Sequence, residues 1–71
     1  MEVMWTGWII ANEDDKGLLE KLGVRVGEYN HNEGCFENCT VSEKTLKALA
    51  PRWGEFYWGL NPNNEKEVHH G

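Results

Sequence analysis

Apolar and polar positions alternate in blocks along this chain, and the period changes from block to block. Residues Glu2 to Ala11 carry Val3, Met4, Trp5, Trp8, Ile9 and Ile10 on both parities. That pattern predicts a central strand covered on two faces. Asn12 or Asp14 then offers a helix cap, acidic residues crowd the first turn, and Leu18, Leu19 and Leu22 form an apolar stripe that ends at Gly23. A short helix is predicted there, with Gly23 as its left-handed stop. Val24 to Tyr29 returns to period two, with Val24 and Val26 on one side, and predicts a half-buried strand.

The polar run Asn30 to Gly34 reads as a turn, after which Cys35 to Val41 resumes extended character and completes a hairpin. Ser42 is placed to cap a second helix whose buried face is Leu46, Leu49 and Ala50, and Pro51 prevents its continuation. Trp53 to Leu60, WGEFYWGL, is half aromatic and predicts a strand buried on at least one face. Asn61 to Gly71 has little apolar content and is expected to be a disordered tail, so the domain is expected to span 1–60 and the tail 61–71.

The two helix starts resemble each other, Asp14-Asp15-Lys16-Gly17-Leu18 against Ser42-Glu43-Lys44-Thr45-Leu46, and each helix lies between two strands. The order strand, helix, strand, strand, helix, strand is the α+β, ferredoxin-like βαββαβ plan. It implies a four-stranded antiparallel sheet with both helices on one face and the other face open. Trp5 and Trp8 have opposite parity, so one indole turns to the open face whichever way the first strand is set. If Phe56, Trp58 and Leu60 face the helices, Trp53 and Tyr57 lie opposite, with Phe36 expected to join them. Trp5, Phe36, Trp53 and Tyr57 are therefore the candidate binding residues, because a large uncovered aromatic patch is an interaction surface by default.

Composition narrows the partner. The chain has 71 residues and 39% hydrophobic content, enough for one domain with a small core, and the N-terminus lacks the basic start of a secretory leader. No apolar run is long enough to cross a membrane, and a cytoplasmic setting is expected. A net charge of -5 opposes nucleic-acid binding and favours a basic protein partner. Arg25 and Arg52 alone are expected near the sheet, and no basic, glycine and aromatic run of the RNA-binding kind occurs.

The chemistry-bearing residues point away from catalysis and metals. His31, Cys35, Cys39, His69 and His70 suffice in number for a zinc site, yet Cys35 and Cys39 are expected ~13 Å apart along one strand face, too far for a shared ion or a disulfide. Glu37 shares their parity, so it is expected either to be buried with a raised pKa or to mark an irregularity in the strand. No cofactor, metal or enzymatic activity is expected. The reading is a non-enzymatic interaction module that binds a protein partner or itself through its aromatic face. The alternative is an acidic inhibitor, of the kind phages and mobile elements use, that occupies a basic nucleic-acid groove on another protein with Glu13, Asp14, Asp15 and Glu20.

Overall fold

The computed structural model describes residues 3–63. Strand β1 spans Met4–Ile10, helix α1 Lys16–Leu22, β2 Glu28–Asn30, β3 Cys35–Ser42, helix α2 Glu43–Leu49 and β4 Tyr57–Pro62. The strands form one antiparallel sheet in the order β2-β3-β1-β4, with β1 and β3 central. Element order and strand order together are those of the α+β ferredoxin-like plan.

Local signals set the helix boundaries. Gly23 ends α1 at φ 106, and its N–H donates to the carbonyls of Glu20 and Leu19, as a left-handed glycine stop requires. Ser42 caps α2 by accepting the Thr45 N–H at 3.2 Å. Each helix has 7 residues, too short to persist unaided, so what holds them is the side chain each inserts into the core. Leu19 from α1 and Leu49 from α2 are both fully buried against Ile9, Phe36, Cys39 and Val41. Both helices therefore cover the same face of the sheet.

Two strands differ from their predicted limits. Of the expected second strand, Val24 to Gly27 is held by one bridge, in which Arg25 and Thr40 exchange backbone hydrogen bonds at 2.9 Å, and regular pairing begins at Glu28. Residues 53–56, expected in the last strand, instead form a turn in which the Glu55 and Phe56 N–H groups donate to the Arg52 carbonyl. Strand β4 starts at Tyr57 and runs on through Asn61 and Pro62, which pair with Thr6 and Trp5. Asn63 donates its N–H to the Met4 carbonyl at 2.7 Å. The domain thus extends past its expected end at Leu60; the rest of the predicted tail, residues 64–71, lies outside the described residues. Pro62 is tolerated because β4 is an edge strand.

An irregularity crosses the sheet. Gly7 pairs with Cys39 and Ile9 with Phe36, so Trp8 of β1 faces two residues of β3, Glu37 and Asn38. Asn38 is the extra one, and its φ of 58 is a left-handed conformation that asparagine adopts more readily than other side chains. The outer pair keeps step: Arg25 opposes Thr40 and Glu28 opposes Glu37, which sets Gly27 against Asn38. Period two therefore breaks once in each of these chain segments. Phe36, Cys39 and Val41 all reach the core, and so do Val26 and Tyr29.

Candidate functional site

The core-facing side of β1 is fixed by Ile9, which is fully buried, and this puts Trp5 on the helix side and Trp8 on the open side. Trp5 was expected on the open face; it is half-buried instead, packed against the core opposite Val41 and Pro62. Its Nε1 is buried and has no hydrogen-bond partner among the described residues. Phe36, the other candidate that the structure moves, is 1% exposed and meets Tyr29 edge to face at 4.7 Å. It pairs with Ile9 across the ladder and shares that residue's buried face.

Trp53 and Tyr57 are exposed, at 55% and 45%. Tyr57 pairs with Ile10, which is 41% exposed, and Trp8 at 42% pairs with Gly59. Trp53 stands edge-on to Tyr57 at 5.2 Å and to Trp58 at 4.7 Å, wrapping around the free side of β4. The open face therefore carries Trp8, Ile10 and Tyr57, and Trp53 extends this ridge at the β4 edge. Gly59 makes room for it: any Cβ at that position would run into Cε2, Cζ2 and Nε1 of the Trp8 indole.

Carboxylates line the ridge on its β3 side. Glu28 and Glu37 are paired across β2 and β3 and, by register with the open face, project from it. The Asn30 amide donates to Glu37 Oε2 at 2.8 Å, and the Asn38 amide reaches Glu28 Oε1 at 3.5 Å. Asn30 also builds the turn that carries Glu33, since its side-chain oxygen accepts the N–H groups of Asn32 at 2.9 Å and Glu33 at 3.1 Å. Between these groups and the ridge lies a cleft of about 240 Å³ lined by Trp8, Ile10, Glu33, Cys35 and Glu37.

Cys35 pairs with Ile10 and so belongs to the open side, whereas Cys39 faces the core and its thiol contacts the Phe36 carbonyl at 3.6 Å. The expectation that both lie on one face is corrected by the extra residue Asn38 between them. Both are free thiols. Burial, then the charges of Glu37 and Glu33, hold the Cys35 thiol above its ordinary pKa. For Cys39 burial is again the main cause, opposed in part by a backbone hydrogen bond from Gly27. Glu37 resolves as the strand irregularity of the two expected alternatives, half-buried beside the doubled position.

The remaining candidate chemistry is dispersed. His31 lies at the surface, 3.8 Å from Glu13 and edge-on to Tyr29, while His69 and His70 fall outside the described residues. No group of three or more His, Cys, Asp or Glu that could hold a metal ion occurs among the described residues. No helix among them is long and apolar enough to cross a membrane. Sequence reasoning missed Trp8, Ile10 and Glu33 as site residues; the parity of Trp8 against Ile9 was the signal that could have found the first. Comparison of the chain with protein-family models, with curated proteins and with solved structures gives no match in any of the three.

Proposed function

We propose that this domain is a non-enzymatic interaction module that binds a protein partner through the open face of its sheet. The observation that carries the reading is the ridge of Trp8, Ile10, Tyr57 and Trp53, four large side chains that adjoin one another and remain exposed. Aromatic residues clustered in this way dominate binding energy where a partner buries them. The charge of the chain, -5, and the carboxylates along the ridge favour a partner with a basic surface. A second copy would carry the same net charge of -5, so long-range charge works against self-association.

The test is capture from the native host with wild-type protein and with Tyr57→Ala, each over a salt series, together with light scattering of the purified chain. A partner held by the wild type and lost by a folded Tyr57→Ala supports the reading. Capture that survives Tyr57→Ala and vanishes with salt would instead favour the acidic-inhibitor reading, which rests on Glu13, Asp14 and Asp15 in the turn ahead of α1 and on Glu20 within that helix. Dimers in light scattering that dissociate on Tyr57→Ala would make a second copy the occupant.

A further inference from the structure

We propose that the cleft beside Trp8 receives one cationic side chain, lysine or arginine, from the partner that docks on the ridge. This deepens the open-face reading and rests on it. Three features of the cleft point to that occupant. Its volume, about 240 Å³, suits one side chain and falls below the usual range of small-molecule sites. It is lined by the apolar surfaces of Trp8 and Ile10, by the buried Cys35, and by the carboxylates of Glu33 and Glu37. A lysine or arginine has the matching construction, an apolar stem that lies along apolar surface and a charged head that seeks carboxylates and an aromatic wall.

Charge complementarity argues in the same direction. Two carboxylates line the cleft and a third, Glu28, sits opposite Glu37. By register, Arg25, which precedes β2 and is bridged to Thr40 beyond the doubled position, is the cation that this side of the sheet brings to the open face among the described residues. Glu37 and Glu33 stand close enough to the Cys35 thiol to add to the effect of burial in raising its pKa. A neighbouring cleft of about 280 Å³ between Ile10 and Tyr57 also has two carboxylates, but one of them, Glu55, already holds a cation of the chain itself. Asp15 accepts the Asn12 N–H at 3.1 Å and Glu55 pairs with Arg52 at 3.1 Å. The Asn30 amide occupies Glu37 Oε2 alone, which leaves the other oxygen for a cation.

The experiment is a nuclear magnetic resonance titration of the full chain with four pentapeptide amides. They have leucines on either side of a central arginine, lysine, citrulline or alanine. The arginine or lysine peptide is expected to shift the Trp8 indole N–H and the Cys35 and Glu37 amides in a saturable way. Citrulline, which keeps the shape and lacks the charge, should bind about tenfold more weakly. The paired substitution Glu33→Gln, Glu37→Gln should erase the difference between arginine and citrulline, and Gln retains the capacity to accept from Asn30. Equal binding of the citrulline and arginine peptides at Trp8 and Tyr57 would overturn the cleft assignment while leaving the open-face reading in place. Shifts confined to the Glu13 to Asp15 turn, or no shift of Trp8 or Tyr57 with any of the four peptides, would overturn both.

Discussion

Phe56 and Tyr57 are neighbours in sequence that the fold sends to opposite sides, and truncating each to alanine separates folding from surface function. Phe56 is 4% exposed and belongs to the core cluster with Ile9, Leu49 and Phe36. Removing a ring from such a position costs about 3–5 kcal/mol, from lost burial and from the cavity left behind. At ~0.05–0.15 kcal/mol per residue, a 71-residue chain holds roughly 4–10 kcal/mol in all. Phe56→Ala therefore consumes about 30% or more of the stability and leaves a partly or wholly unfolded population. Tyr57 is 45% exposed, pairs with Ile10 and meets Trp53 edge-on. An exposed aromatic pair contributes below about 1 kcal/mol, so Tyr57→Ala should lower the thermal midpoint by only a few degrees. Urea titrations followed by far-ultraviolet circular dichroism measure both, with Phe56→Leu as an intermediate that keeps most of the volume. A Tyr57→Ala variant that loses as much stability as Phe56→Ala would mean that both faces of the sheet are covered, and the ridge would cease to be a binding surface.

Asn38→Val should cost about 1–2 kcal/mol in a urea titration, because a β-branched residue resists the left-handed backbone, while Asn38→Gly should stay near wild type. Ser42→Ala removes the acceptor of the Thr45 N–H and should cost about 1 kcal/mol by the same measurement. Stability should also fall in alkali. Both thiols have folded pKa values raised above the ordinary ~8.5, so the folded chain keeps protons that the unfolded chain releases. Their contribution is complete below about pH 8.5 and is lost as pH rises towards the folded values. The difference in urea midpoint between wild type and Cys35→Ala, Cys39→Ala should shrink from pH 8 to pH 10; a constant difference would refute the linkage.

The order of elements was legible because the residues that punctuate the chain act locally. Ser42 caps and Gly23 stops by geometry within a few residues, and no distant contact is needed to read them. β1 does send one indole to each face, as parity alone requires. What parity hid was the doubled position at Glu37 and Asn38. Strict alternation placed Cys35 and Cys39 on one face, and the extra residue separates them. Phe36 was misplaced because an aromatic residue reads the same on either face until the opposing strand is known, and its partner Ile9 decides the matter. The end of β4 was hidden by composition. Asn61 and Pro62 look like linker, yet at an edge the backbone pairs with β1 on one side and the side chains need no core. Glu33 escaped notice because it is brought to the cleft by the turn that Asn30 organises and by no periodicity.

The matched irregularity at Gly27 and Asn38 has a consequence for how the length of this chain can change. Each is one residue more than a flat ladder requires, and they face each other across β2 and β3. Removing both together would return the two strands to strict alternation, with Val24, Val26 and Tyr29 still inward beside Phe36, Cys39 and Val41. Removing one alone leaves the strands a residue out of step, and the mismatch must be absorbed on one side of it. Two sites 11 positions apart in the chain thus behave as a single unit of insertion or deletion, and the shorter domain they permit would keep the same inner and outer faces.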